Sequence, residues 1–445
     1  MEDHLVTILF GSFLVLLLLG APITVSLAVS ALACYLVLDI DPVTMVQIAY
    51  TSVGSFPLMA LPAFVLAGAL MEAAGISKRL VDIAEALAGP MTGGLGVATV
   101  LACVFFGAIS GSGPATTAAV GMLMIPAMTQ RGYDKSYAGA LTATSGGIGI
   151  IIPPSIPMVI FGVSALGIQV PDEAIEAHGE FASVSIPKLF VAGVIPGLMM
   201  AVSLIIMNCL ISRRRGYRGL TERWNGRDIL QSVRHGVWSL AAPFIILGGI
   251  YSGMFTPTES AVVAIAYTVV VGVLLHRELN WQKVQHALVA TTWISGRVLM
   301  ILFAATVFGR QLVEEQIPAQ LAENLLGVTS DIHVIWLILI VFLLFIGMFM
   351  ETLAAIMILV PVLMPIMYML GADPTHVGIV LICALSIGFQ TPPLGENLFV
   401  ASGISGMSVE RLVVEVLPFT MISIAILILI AFWPDLSLWP TRLTG

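Results

Sequence analysis

The chain has 445 residues; 58% are apolar, only 10% are charged, and the mean hydropathy is +1.04. A soluble domain carries about 25% charged residues, so a soluble enzyme, a disordered chain and a nucleic-acid binder are excluded at the outset. The net charge of −8 also argues against nucleic acid. A polytopic membrane protein remains.

Twelve apolar runs follow one another, at roughly 5–38, 52–74, 93–128, 138–168, 189–212, 237–254, 258–275, 288–309, 332–350, 353–370, 377–405 and 416–433. About 20 helical residues cross the hydrocarbon core of a bilayer. The start, MEDH, is acidic where a signal peptide is basic, so the first run reads as a span. It is long enough for two helices broken at Gly20-Ala21-Pro22. The third run is predicted to break near Ser110-Gly111-Ser112-Gly113-Pro114, and the eleventh at Pro392-Pro393. No run shows the ten-residue alternation of a membrane barrel, so the fold class is all-α with interrupted helices. Cys34, Cys103, Cys209 and Cys383 all lie in apolar runs without metal-ligand spacing and read as buried small hydrophobes.

Seven of the 18 basic residues fall between the fifth and sixth runs: Arg213, Arg214, Arg215, Arg218, Arg223, Arg227 and Arg234. By the positive-inside rule this stretch is cytoplasmic. The loop before it carries Asp172, Glu173, Glu176 and Glu180 and is expected outside. Arg131, Lys135, Arg277 and Lys283 are expected on the cytoplasmic side, and the Glu314-Glu315 turn outside.

A weak repeat runs at a separation of about 240 residues. GAISGSGPATTAAVGMLMIPAM (107–128) lies against GMFMETLAAIMILVPVLMPIM (347–367). GGIGIIIPPSIPMVIFG (146–162) lies against SIGFQTPPLGENLFVAS (386–402), so Pro153-Pro154 falls on Pro392-Pro393. Upstream, GISKRLVDIAEAL (75–87) lies against EQIPAQLAENLLG (315–327), and Gly20-Ala21-Pro22 against Phe255-Thr256-Pro257. The basic loops of one copy match basic-poor loops of the other, as expected of two halves inserted in opposite orientations. The predicted organisation is a first inverted repeat at 1–212, an arginine-rich cytoplasmic linker at 213–236 and a second repeat at 237–445. Inverted repeats with broken helices point to secondary transport, because freed backbone groups are tolerated at mid-membrane only when buried or lining a cavity.

Four places carry candidate chemistry. Ser110, Ser112 and Thr116, around Pro114, offer hydroxyl and carbonyl oxygens suited to a hard cation; the same small residues also suit a close helix crossing. Ser145, followed by Pro153, Pro154 and Ser155, fits a re-entrant turn or a simple kink. Gln390, Thr391, Gly395, Glu396 and Asn397 are polar groups in an apolar run, where ionisable side chains suggest function; a water-exposed tip is the other reading. Glu351 and Thr352 stand beside the break of the second copy. Glu259 is a candidate partner for Arg297, the only base deep in an apolar run. No nucleotide-binding loop or catalytic motif is present in the sequence, so the expected driving force is an ion gradient. A channel, a membrane enzyme and a structural subunit are the other classes left open.

These residues resemble the large, DctM-like membrane subunit of tripartite ATP-independent periplasmic (TRAP) transporters. The resemblance rests on GAISGSGPATTAAVG (107–121), GGIGIIIPPSIPMVIFG (146–162), FTPTESA (255–261), GMFMETLAAIMILVPVLMPI (347–366) and GFQTPPLGENLFV (388–400), and covers nearly the whole chain. It implies an elevator-type transporter with a scaffold and a moving transport domain. It further implies a small four-span membrane subunit, a periplasmic substrate-binding protein and a place in the bacterial inner membrane. Sodium would be the coupling ion, with no organic cofactor, and the solute an organic acid such as a C4-dicarboxylate or sialic acid. Carried over to this sequence, ion-binding residues would be Ser110, Ser112, Thr116, Ser145, Thr352, Gln390 and Thr391. Substrate contacts would be Ser155, Glu351, Gly395 and Asn397, with turns at Pro114, Pro153, Pro154, Pro392 and Pro393. A related transporter acting without a binding protein is the alternative.

Overall fold

Helix punctuation written in the sequence sets most element starts. Side chains of Ser112, Asp134, Ser155, Asn225, Asn280, Asp331 and Asp373 each accept a bond from a backbone N–H of the helix they open. The computed structural model describes residues 2–53, 56–166, 168–317, 320, 327, 329, 331–392 and 395–443. Its described residues are helical or in turns, with no strand among them.

Helices α1 (Glu2–Leu18) and α2 (Ile23–Val37) flank the expected break at Gly20-Ala21-Pro22. Then come α3 (Pro42–Val53), α4 (Ala60–Ala73) and α5 (Ile76–Ala88), with α4 and α5 bent by 70° about Gly75. Helices α6 (Gly94–Ser110) and α7 (Gly113–Gln130) are joined by only Gly111-Ser112. The Thr99 hydroxyl, near the start of α6, lies 3.4 Å from the Met128 sulfur near the end of α7. The pair is therefore an antiparallel hairpin. Helices α8 (Lys135–Gly146) and α9 (Ile156–Ala165) are separated by a tight turn and the cis Pro153–Pro154 bond. They pack mainly on other helices and little on each other, so the fold-back lies at Gly111-Ser112 and not at the double proline.

After a short α10 (Asp172–His178), α11 runs from Ile186 to Arg215 and α12 from Gly226 to Tyr251. Only residues 216–225 between them are non-helical, so the arginines of the linker sit mostly on helix ends. Helix α13 (Pro257–Val270) starts at a capping box: the Thr256 hydroxyl accepts from the Glu259 N–H, and the Glu259 carboxylate accepts from the Thr256 N–H. Helix α14 (Trp281–Glu314) has 34 residues, with Arg297 at its middle. The second upstream repeat string, at 315–327, falls mainly outside the described residues. Helices α15 (Ile332–Phe349) and α16 (Thr352–Met369) form a second, more splayed pair joined at Met350-Glu351. Helices α17 (Pro374–Gly388), α18 (Glu396–Ser405), α19 (Val409–Phe432) and α20 (Asp435–Leu438) complete the chain.

Seven described helices are long and apolar enough to cross a membrane, or eight if α4 and α5 count as one bent span. Contacts sort the connections into two ends. At one end, the Tyr217 hydroxyl accepts from the Asp134 N–H, Arg79 pairs with Glu278 at 2.8 Å, and Arg215 pairs with Glu415 at 2.7 Å. At the other, the His178 ring meets the Met369 carbonyl and His333 packs on Phe432. The α6–α7 hairpin enters from the first end and the α15–α16 pair from the second. Helices α8–α9 and α17–α18 likewise run in opposite directions, α8 starting at the first end and α17 at the second.

Close packing relies on glycine at two matched crossings. A Cβ on Gly107 of α6 would stand 2.8 Å from the Cα of Gly149, in the turn after α8. A Cβ on Gly347 of α15 would stand 3.2 Å from the Cα of Gly388, at the end of α17. Small residues let backbones approach this closely where lipid supplies no hydrophobic driving force.

Candidate functional site

The two helix pairs and the two broken helices meet at one cavity of about 310 Å3. Its walls include Gly113 to Ala115 at the start of α7, Ile156 and Pro157 at the start of α9, Thr352 and Leu353 at the start of α16, and Glu396 at the start of α18. Four helix N-termini therefore converge on one space. Each carries roughly half a positive charge on N–H groups that lack intrahelical partners. Leu61 and Val65 of α4 and Ile294, Arg297 and Val298 of α14 close the opposite wall. The cavity thus lies where α4 and α14 meet the hairpin tips.

Arg297, Glu351 and Glu396 are the charged side chains lining it. Arg297 donates to Glu351 at 2.8 Å. The suggested Glu259 partnership is corrected by this geometry: Glu259 is held by Thr256 in the capping box, and Arg297 pairs instead with Glu351 at the tip of α16.

The hydroxyl candidates divide into satisfied and unsatisfied groups. Ser110 and Thr116 lie 2.9 Å apart, and the Thr116 hydroxyl donates to the Ser112 carbonyl at 2.7 Å. Ser112 lines the cavity, and its side chain caps α7. Pro114 is the second residue of α7, where its missing N–H costs nothing. Ser145 is buried and donates to the Leu141 carbonyl of its own helix. Ser155 caps α9 and donates to the Ile150 carbonyl at 2.6 Å, behind the cavity wall. Thr391 donates to the Ile387 carbonyl at 2.6 Å, and Gln390 is buried beside it. Pro392 lies in the turn with them, while Pro393 lies outside the described residues. Gly395 precedes α18 and is needed for space: a Cβ there would stand 2.5 Å from the Phe389 carbonyl oxygen.

Among the site candidates, two buried side-chain oxygens are left over. The Thr352 hydroxyl, on a residue 2% exposed, lines the cavity without a hydrogen-bond partner. The Asn397 side chain is fully buried; its amide donates to the Ala143 carbonyl at 3.0 Å, but its Oδ1 has no partner. A buried acceptor without a donor costs about 1–3 kcal/mol unless something else satisfies it. Both oxygens are suited to a hard cation, and the Thr352 hydroxyl can also donate to an anion. Sequence reasoning did not find Ser386, whose hydroxyl ties the two broken helices together by donating to the Gly147 carbonyl at 2.7 Å. A lone serine in an apolar run gives no signal of that role.

An all-helical, multi-pass membrane protein with opposed helix pairs and broken helices around a central cavity is the architecture of a transporter. The chain matches the family model described as "Tripartite ATP-independent periplasmic transporter, DctM component" over residues 10–436. It belongs to that family. It is 42% identical to the isethionate TRAP transporter permease protein DctMQ of Oleidesulfovibrio alaskensis, over 97% of this chain and 66% of that one. It is 36% identical to the C4-dicarboxylate TRAP transporter large permease protein DctM of Rhodobacter capsulatus, over 98% of this chain and 99% of that one. It is also 36% identical to the sialic acid TRAP transporter large permease protein SiaM of Vibrio cholerae, over 97% and 96%. These relatives are transporter permease components and not enzymes. Among solved structures, the fold is similar to the YdaH transporter of Alcanivorax borkumensis, with TM-score 0.63 at 15% identity over 89% of this chain and 88% of that one. It is also similar to MtrF of Neisseria gonorrhoeae, with TM-score 0.58 at 15% identity over 88% and 83%.

Proposed function

We propose that this chain is the large membrane subunit of a sodium-coupled importer of small organic acids. The observation that carries the reading is the convergence of four helix N-termini on one cavity. Such ends attract anions through free N–H groups and aligned dipoles. A carboxylate or sulfonate is the matching solute group. The Thr352 and Asn397 oxygens are the best supported sodium ligands, because each is buried and lacks a donor. Ser110, Ser112, Thr116, Ser145, Gln390 and Thr391 surround them and would complete such sites through hydroxyl and carbonyl oxygens.

Opposed entry of the two helix pairs, and the matched crossings of Gly107 on Gly149 and Gly347 on Gly388, support two inverted repeats. The cavity lies between α4 and α14 on one side and the hairpin tips on the other, which supports an elevator in which the tips carry solute past a fixed wall. The basic end would face the cytoplasm, with the chain in the bacterial inner membrane. Family membership supports assembly with a small four-span subunit and a periplasmic binding protein. One relative, the isethionate DctMQ protein, is longer than this chain.

Uptake into proteoliposomes containing this chain and both partners tests the reading. Accumulation of a labelled organic acid should follow an inward sodium gradient and collapse when the gradient is dissipated. Uptake indifferent to sodium removes the coupling claim. Equal uptake without the binding protein favours a related transporter that works alone. Thr352→Val and Asn397→Leu should each raise the sodium concentration at half-maximal uptake by about tenfold, the loss of one good ligand.

A further inference from the structure

We infer that the transported solute carries a cationic group beside its acid group, and that Glu396 recognises that cation. The inference rests on the organic-acid reading above and deepens it.

Glu396 is the first residue of α18 and lines the cavity. It makes no ion pair or side-chain hydrogen bond among the described residues, although Arg297 and Glu351 lie within electrostatic reach. Arg297 is already engaged by Glu351 at 2.8 Å. The cavity is therefore lined by two unlike sets of groups. The first set, at Arg297 and the start of α16, is a guanidinium with N–H donors to spare, free helix amides and the unpartnered Thr352 hydroxyl, which is 2% exposed. The second set is the unpaired Glu396 carboxylate and Phe389, whose carbonyl accepts from the Asn397 N–H at 3.1 Å; a carboxylate and an aromatic residue lining one cavity suit an alkylammonium group.

A solute's acid group fits the first set. Its other end then meets Glu396. A second acid group would face like charge there, a hydroxyl would satisfy only part of the carboxylate, and an ammonium would pair with it. The cation could instead be sodium. Sodium finds its oxygens in the hydroxyls and carbonyls of the tips and in the fully buried Asn397 Oδ1, whereas Glu396 is only partly buried and lines the cavity that a solute fills. This favours an ammonium carried by the solute. Selection then works by repulsion of the wrong solute as well as attraction of the right one.

Two isosteric pairs isolate the group concerned. Taurine and isethionate share a two-carbon sulfonate and differ in ammonium against hydroxyl; β-alanine and 3-hydroxypropionate do the same for a carboxylate. Malonate presents a second acid group at similar length. Labelled forms of all five are bound to the full chain in nanodiscs at constant sodium. The expected result is retention of the ammonium member of a pair about tenfold above its hydroxyl partner, with malonate weakest. Glu396→Gln should erase that preference, and Glu396→Asp should keep it. Hydroxyl members or malonate bound as well as or better than the ammonium members would overturn the inference and leave the organic-acid reading standing. An ammonium preference that survives Glu396→Gln would overturn the role of Glu396. No binding of any probe above empty nanodiscs would overturn the solute site itself, and this inference with it.

Discussion

Arg297 and Glu351 join two parts of the molecule that the elevator reading sets in relative motion. Arg297 is at the middle of α14, and Glu351 is at the tip joining α15 to α16. The arginine side chain is more than half exposed, which limits the strength of the pair. Exposed pairs contribute about 0.2–1 kcal/mol by double-mutant cycles. Arg297→Gln and Glu351→Gln, alone and together, should therefore give a coupling energy within that small range in thermal unfolding of the detergent-solubilised protein. Solute binding should respond more strongly than stability to Arg297→Gln, because that change also removes donors from the cavity lining. A coupling near zero together with unchanged binding would remove Arg297 from the site. The sequence pointed to Arg297 as an odd base in an apolar run, but its partner lies 54 positions away in the chain and was not readable from spacing. Glu259 is the sequence's candidate because its setting resembles that of Glu351 beside a helix break. The capping box that occupies it was written plainly in Thr256-Pro257-Thr258-Glu259, as a hydroxyl residue followed three positions later by a glutamate.

At the scale of elements, two kinds of signal in the sequence fared differently. Breaks were legible, because glycine and proline act locally: Gly20-Ala21-Pro22, Gly111-Ser112 and Pro153-Pro154 all end helices. Which break folds the chain back was not legible, because that depends on what each half packs against. Ser112 and Ser155 illustrate the same limit. Ser112 reads as a ligand from its surroundings and Ser155 from the family resemblance, yet each also caps the helix that follows it. The glycine crossings bind these elements most tightly, and they differ sharply from glycines in open space. A Cβ on Gly388 would stand 2.5 Å from the carbonyl carbon of Gly347, so Gly388→Ala must push α15 off α17. Overpacking of this kind costs about 1–3 kcal/mol. Gly248, inside α12, has nothing within 4 Å of its Cβ position, so Gly248→Ala should be neutral or stabilising by up to about 1 kcal/mol. Melting temperatures of the two variants in one detergent compare them directly. Equal melting would mean that the matched crossings do not hold the broken helices in place.

Across the whole molecule, the scarcity of charge makes each charge a marker of position. Arg79, Arg131, Asp228 and His235 line one surface hollow together, and the Lys283 ammonium donates to the Ala73 carbonyl at 3.0 Å. The stretch 213–234, with its seven arginines, joins that same end through Tyr217, Arg215 and the Trp224 ring N–H, which donates to the Leu87 carbonyl. The acidic loop with Glu173 and Glu176 lies at the opposite end, beside Met369. Basic loops resist translocation, so the arginine-rich end should stay in the cytoplasm. This assignment also fixes which helix pair opens to which side, since α6–α7 enters from the basic end and α15–α16 from the acidic one. Cysteines placed at exposed Glu222 and Glu176 read the orientation out in intact cells. An impermeant maleimide should label Glu176→Cys directly, and Glu222→Cys at least about tenfold more slowly until the membrane is permeabilised. The native cysteines offer little background, because Cys34, Cys103 and Cys383 are buried and Cys209 is partly covered. Rapid labelling at Glu222 in intact cells would invert the molecule, and the α15–α16 pair, with Glu351 at its tip, would then guard the inner face of the cavity instead of the outer one.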